Sequence, residues 1–217
     1  MKNIIIFGAG GFGMEVAWLL EEINRREPLW NLLGYIDQDE KKWGKEYFGY
    51  GVLGSFDYLK RLSSNTAVVV AVGDSVRRNE IVAELSVYGF EFPVLVHPSV
   101  FMPRSIEPGE GTIMAAGTVL TVQVKIGAHV HVDTSCTVGH GAVLGDYSRL
   151  NPGVHVSGDV VIKTGAYIGA GAVVTQGIVV GSNTIVGAGA VVVRDLPDNV
   201  VAVGVPARVI RKREDGS

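Results

Sequence analysis

Residues 126–156 read IGAHVHVDTSCTVGHGAVLGDYSRLNPGVHV, and their spacing decides the fold. Every sixth residue is branched and apolar: Ile126, Val132, Val138, Leu144, Leu150 and Val156. The phase runs back to Met114 and forward to Val192 without a slip. Two places before each stands a small or β-branched residue, as at Val130, Cys136, Ala142, Ser148 and Val154. One place after, glycine recurs, at Gly127, Gly139, Gly145, Gly169, Gly181 and Gly187. A helix buries a stripe with a period near 3.6 and a strand one with a period of 2, so a sixfold repeat fits neither as a long element. It fits a very short strand and a turn, repeated, with the branched residue pointing into a core. The recurrent glycine is expected to take the tight corner. Three units make a triangular coil of about 18 residues, and coils stack at the ordinary strand spacing of about 4.8 Å. The reading is a parallel β-helix.

Outside this stretch the chain reads differently. Residues 3–7, NIIIF, form a buried strand, followed by Gly8-Ala9-Gly10-Gly11-Phe12-Gly13 and an amphipathic helix to about Glu22. Strand, G-x-G-x-x-G and helix form the dinucleotide-binding fingerprint: a tight turn brings backbone N–H groups and a helix N-terminus against a phosphate. Leu33–Ile36 reads as a second strand ending in Asp37, an acid placed to take a ribose hydroxyl. Ala67–Val72 is a third strand with Gly73 and Asp74 at its tip, followed by a helix from about Val76 to Tyr88 and a short strand at Phe92–Val96. Ligands of open α/β sheets bind outside such strand ends. Gly10, Gly11, Asp37, Gly73 and Asp74 are therefore expected to converge on one crevice. The segment is enough for about one half of a dinucleotide fold, which fits a mononucleotide carrier such as a nucleotide-linked sugar better than NAD.

The expected organisation is α/β plus all-β. A small Rossmann-like domain over residues 1–97 is followed by a β-helix over 98–217, entered through His97-Pro98-Ser99 and an imperfect first coil. Beyond Val192, residues 203–207 read as a turn and 208–217, RVIRKREDGS, as a basic frayed tail. The 217 residues carry a net charge of −3, which argues against a nucleic-acid surface. The single cysteine, Cys136, excludes a disulfide framework and sits at a small inward position, so it reads as core. No apolar run approaches a membrane span, and the N-terminus is unlike a signal peptide, so a cytoplasmic protein is expected.

Five histidines are present: His97, His129, His131, His140 and His155. No two are one coil apart, so no metal site is read. No nucleophile elbow is present either. His140 follows a glycine in Val138-Gly139-His140-Gly141 and is expected to point outward near an edge, where a histidine suits proton removal near neutral pH.

GAGGFG after the first strand, YID after the second, VAVGD, the HPS linker, VGHGAVLGDYS, the hexad run, GAGAVVVRDLPD and VGVPARVI together resemble the bacterial sialic acid O-acetyltransferase family. That family includes the N-acetyltransferases of UDP-linked 4-amino sugars and of GDP-perosamine, and the resemblance covers the whole chain. It implies a left-handed parallel β-helix, a homotrimer, a nucleotide sugar on the N-terminal domain, and acetyl-CoA as co-substrate between neighbouring β-helices, with no metal. By motif, His140 matches the catalytic base and Gly158 the residue whose N–H meets the acetyl carbonyl. Ala170 and Ala188 match backbone contacts to CoA, and Arg149 a place near the thioester. Gly10, Gly11, Phe12, Asp37, Gln38 and Gly73 match contacts to the nucleotide sugar. Relatives usually carry an acid directly after the catalytic histidine, where this chain has Gly141. The repeat stacks Asp159 on Gly141, so Asp159 is expected to supply that carboxylate to His140. The resulting expectation is acetyl transfer to an amine or hydroxyl of a nucleotide-activated sugar. The rivals are O-acetylation of a free sugar such as sialic acid and a non-catalytic nucleotide-sugar-binding trimer.

Overall fold

The computed structural model describes residues 1–62 and 65–213 and divides into two compact units, Met1–Pro98 and Ser99–Ser217. No helix among the described residues is long and apolar enough to cross a membrane.

The first unit is an open sheet built on the apolar run at its start. β1 (Lys2–Phe7) lies centrally, with Ile4, Ile5 and Ile6 fully buried. It pairs in parallel with β2 (Trp30–Ile36) on one side. On its other side the parallel partner is the strand Ala67–Val70. α1 (Gly11–Arg26) connects the first two strands and buries Val16, Ala17, Leu19 and Leu20 at helical spacing. It runs a turn past the expected end at Glu22, and Arg25 and Arg26 close it where cations suit the helix dipole. A hairpin escaped the sequence reading. β3 (Glu46–Tyr47) and β4 (Tyr50–Gly54) turn through Phe48 and Gly49, both at positive φ, and β4 extends the sheet beyond β2. Its glycines interrupt any apolar alternation. After α2 (Phe56–Leu59), the strand Ala67–Val70 becomes β5, followed by α3 (Ser75–Ser86) and β6 (Leu95–Val96). The order β3-β4-β2-β1-β5 puts the switch in strand order between the parallel strands β1 and β5. That is where such sheets open a crevice at their strand ends.

The second unit is a parallel β-helix of two-residue strands on three faces. Face one stacks Ile113–Met114, His131–Val132, Arg149–Leu150, Tyr167–Ile168 and Ile185–Val186. Face two stacks Val119–Leu120, Thr137–Val138, His155–Val156, Val173–Val174 and Val191–Val192. Face three stacks Lys125–Ile126, Val143–Leu144, Val161–Ile162 and Val179–Val180. Within these stacks, each residue pairs with the one 18 places on, as His131 with Arg149. The sixth-residue positions point inward and are buried throughout, Val132, Leu150, Ile162 and Val186 completely. Each such side chain contributes about 1.5–3 kcal/mol of burial.

The small inward positions carry a few polar groups, and four of them reach a carbonyl of the next coil. Thr112 Oγ1 donates to Gly127 O (3.0 Å), Thr118 Oγ1 to Asp133 O (3.1 Å) and Thr184 Oγ1 to Pro197 O (2.6 Å). Cys136 is one of this set. It is fully buried, and burial pushes its thiol up to about 12, which fits a core residue.

The corner glycines need correction. The left-handed backbone falls three places after each inward residue, at Gly141, Gly153, Gly165, Gly171, Gly177 and Gly189, and also at Gln123, His129, Ser135, Tyr147, Asp159 and Asn183. The recurrent glycine one place after the inward residue does a different job. A Cβ on Gly139 would stand 2.6 Å from Gly158 N, and one on Gly169 would stand 2.5 Å from Ala188 N. Those glycines let adjacent coils approach; they do not turn the chain.

The C-terminal segment is also more ordered than expected. Val200–Val203 continues face one, and Arg208–Lys212 returns along it as an antiparallel strand. Through Arg213, whose N–H reaches Asn199 O at 2.8 Å, the basic segment is part of the sheet and not a frayed tail. Residues 214–217 of that expected tail lie outside the described residues.

Candidate functional site

Three of the five histidines are withdrawn from solvent: His97, His129 and His131. His155 is exposed on face two with its Nδ1 2.8 Å from Thr137 Oγ1. His140 stands at the corner between faces two and three, its side chain 56% exposed.

The coil geometry shapes the surroundings of His140. One coil on, Gly158 lies beneath the imidazole. A Cβ on Gly158 would come within 2.5 Å of the ring's Nε2 and Cε1, so the ring rests where any other residue would put its side chain. Next to Gly158, Asp159 adopts the left-handed conformation, φ +58°. Its N–H donates to His140 O at 2.7 Å, and its Oδ1 lies 3.8 Å from His140 Nδ1. The carboxylate occupies the volume a side chain at position 141 would fill: a Cβ on Gly141 would fall against Asp159 Oδ1. From the third coil, Gln176 Nε2 donates to Asp159 Oδ2 at 3.4 Å. Gln176 was absent from the sequence reading, although adding one coil to Gly158 leads to it.

The corners carry a second regularity. Gly139 N–H is taken by Val156 O (2.8 Å) and Gly141 N–H by Val122 O (3.0 Å). Between them, the N–H two places after the inward position is left unused by the coil at several corners, Pro152 having none. Among the described residues, the N–H groups of His140, Gly158 and Gln176 at one corner, and of Ala170 and Ala188 at the corner between faces one and two, meet no acceptor. At the third corner two such donors are capped: Ala128 N–H by Asp146 Oδ1 and Ser182 N–H by Asp198 Oδ1, both 2.8 Å. Lys163 pairs with Asp198 beside the second cap. Two corners thus present a line of donors suited to carbonyl or phosphate oxygens.

Within one chain these groups form separate sets. His140, Gly158 and Asp159 share a corner. Ala170 and Ala188 stack at another. Arg149 lies on face one, which is opposite the His140 corner. Its guanidinium is held by Asp133 (Nη2 2.7 Å, Nε 3.2 Å), with side chains only 11% and 3% exposed. Nearby on face one, Tyr167 donates to Asn151 Oδ1 (3.1 Å), and Asn151 Nδ2 donates to Ile168 O (2.7 Å).

In the first unit, a crevice of about 140 Å³ opens at the ends of β1 and β5, lined by Phe7, Gly8, Asp37, Gln38, Val72, Arg77 and Ile81. Asp37 is there, but its carboxylate is engaged by the chain. Oδ2 accepts from Ala9 N–H (2.8 Å) and Lys42 Nζ (2.7 Å), and Oδ1 from Asp39 N–H (2.9 Å). Burial alone would raise its carboxyl; the Lys42 bond and the two N–H bonds outweigh it and hold the carboxyl below the usual range. Asp37 therefore pins the glycine turn to the end of β2, a role the ribose reading did not foresee. Gln38 Oε1 accepts from Arg77 Nη2 at 3.0 Å. Asp74 caps α3 through Arg77 N–H (2.7 Å), and Gly73 O accepts from the fully buried Arg78 (3.2 Å).

The glycines of the turn divide into two kinds. Gly8 sits at φ +111° against Ala71 O, and a Cβ on Gly13 would fall onto Gly8 O. Those two are required by the chain's own packing. Gly10 and Gly11 are exposed, and a Cβ on either would meet nothing within 4 Å. Gly10 caps α1 without any side-chain hydrogen bond. The Phe12 backbone lies in the same first turn.

Comparisons with known proteins bear on both units. Residues 3–85 match the PglD N-terminal domain, and residues 143–176 match the bacterial transferase hexapeptide (six repeats). A curated relative, UDP-N-acetylbacillosamine N-acetyltransferase of Bacillus subtilis (strain 168), is 36% identical over 118 residues, 54% of this chain and 52% of its own. That match spans about half the length of the curated relative. Among solved structures, the acetyltransferase domain of PglB from Neisseria gonorrhoeae FA1090, in complex with acetyl coenzyme A, is 32% identical. It matches with a TM-score of 0.88 over 96% of this chain and 99% of that one. PerB from Caulobacter crescentus, in complex with CoA and GDP-perosamine, is 30% identical, with a TM-score of 0.65 over 96% and 97%.

Proposed function

We propose, from the premise that the chain belongs to the family of PglD-type hexapeptide-repeat acetyltransferases, that it transfers an acetyl group from acetyl-CoA to the amine of a nucleotide-linked amino sugar. Its β-helix is then the left-handed form of that family. The observation that carries the reading is the His140 corner: an exposed imidazole resting over Gly158, whose N–H meets no acceptor among the described residues.

The amine of the acceptor attacks the thioester carbonyl carbon. His140 takes the proton the nitrogen loses, and the Gly158 N–H donates to the oxygen as it becomes an oxyanion. Collapse of the tetrahedral intermediate expels the CoA thiolate. Holding both substrates in place supplies much of the rate. Ala170 and Ala188 direct their N–H groups at the pantetheine carbonyls from another corner, and Arg149 lies on the face beside them. One chain separates these groups from His140, so the site is completed by a second copy, and a homotrimer closes three such sites. The nucleotide of the acceptor lies over the Gly10-Gly11-Phe12 turn, with its ends near Asp37, Gln38 and Gly73. Two charged substrates of this kind fit a cytoplasmic protein.

Thiol release from acetyl-CoA with UDP- and GDP-linked 4-amino sugars tests the reading. Turnover only with nucleotide-linked amines supports it. Turnover with free sialic acid, or binding of the nucleotide sugar without turnover, would replace it with one of the rival readings.

A further inference from the structure

We infer that Asp159, steadied by Gln176, is a positioning residue for His140, supplying from the next coil the carboxylate that the residue after the histidine lacks. The inference rests on the acetyltransferase reading and deepens it.

Four observations carry it. The Asp159 N–H bonds to the His140 carbonyl at 2.7 Å, so the two backbones are tied. Its Oδ1 lies 3.8 Å from His140 Nδ1, and catalytic contacts that are long without substrate tighten as it binds. Its Oδ2 accepts from Gln176 Nε2 at 3.4 Å, which leaves Oδ1 as the oxygen nearer the ring. Gly141 leaves the space that the carboxylate fills. The three residues follow one another along the axis, one per coil.

A carboxylate at Nδ1 holds the proton on that nitrogen and leaves Nε2 free as the base. It also supports the imidazolium that forms when Nε2 takes the amine proton. Asp159 itself neither donates nor takes up a proton.

The competing account is that Asp159 merely tolerates the left-handed corner, as Asn183 and Ser135 do at the same phase. Asp159→Asn separates the two, because asparagine has the same shape and accepts that conformation readily. On our inference, kcat falls by about tenfold or more, both KM values stay within about twofold, and the thermal midpoint is unchanged. Nitrogen-15 spectra of the His140 ring in the intact protein show the Nδ1–H tautomer shifting toward Nε2–H in the variant. Gln176→Ala moves kcat in the same direction by a smaller factor. Exchanging the two positions, Gly141→Asp with Asp159→Gly, restores part of the lost kcat, since the acid returns to the same place from the other coil. Wild-type kcat with an unchanged tautomer in Asp159→Asn overturns the inference. A wild-type protein without acetyl-CoA turnover would instead overturn the activity, while the ring spectra still decide the contact.

Discussion

Replacing Gly11 with alanine separates what the chain needs from what a ligand needs. In most glycine-rich turns the two are confounded, because the substitution breaks the turn. Here a Cβ on Gly11 meets nothing within 4 Å, and the residue opens α1 without positive φ. Alanine is favoured over glycine in a helix by up to about 1 kcal/mol. At about 2–4 °C per kcal/mol for a chain of this size, the melting temperature should hold or rise slightly. On the proposed placement of the nucleotide, the added methyl stands where its phosphate approaches the backbone. Overpacking of that kind costs about 1–3 kcal/mol, which is about five- to 150-fold in Kd. Gly13→Ala should do the reverse. Its Cβ falls onto Gly8 O, so stability drops by a similar 1–3 kcal/mol. Calorimetric titration with the UDP- and GDP-linked amino sugars, and separately with acetyl-CoA, reads the first effect, and thermal melts read the second. Unaltered nucleotide-sugar affinity in Gly11→Ala, or an equal loss for acetyl-CoA, would refute the placement of the nucleotide.

Asp37 makes stability depend on acid pH. Its folded carboxyl is held below the unfolded value, so its contribution is full above about pH 4 and disappears as pH falls through the folded value. The gap in melting temperature between wild type and Asp37→Asn should therefore be widest near neutrality and shrink below pH 4; a constant gap would contradict the linkage. Asp133→Ala removes the carboxylate that holds the Arg149 guanidinium and should lower stability by about 3 kcal/mol in urea unfolding, with little loss if the pair is dispensable. Sedimentation at micromolar concentration should give a trimer, and a fully active monomer would remove the shared site.

The β-helix was legible because its signal is arithmetic. One apolar residue in every six, held from Met114 to Val192, leaves a single way to bury the row, and the same arithmetic placed Asp159 beside Gly141. What failed was the assignment of work within the repeat. Gly139 and Gly169 look like turn residues from their spacing, yet adjacent backbones crowd them and the turn comes two residues later. Steric demand between coils leaves the same letter in the sequence as conformational demand within one. The hairpin of Glu46–Gly54 was hidden because its glycines erase alternation. Asp37 was read by its place at a strand end, and nothing local reveals that Lys42 and the Ala9 amide engage it. His140 was legible as exposed, but the vacancy it rests in belongs to Gly158, visible only once the coils are stacked.

A coil with a fixed repeat gives one point on its surface more than one address in the chain. The volume beside His140 can be filled from position 141 or from position 159, and an exchange between them moves no backbone. A group at such a place is therefore inherited as a location and not as a column in an alignment. A glycine where an acid is customary is no sign of lost chemistry until the residue one coil further on has been read. The reverse also holds: inserting six residues would shift every later group to the next corner, whereas inserting 18, the register of His131 on Arg149, would carry the donors one step along the same corner and leave their order intact.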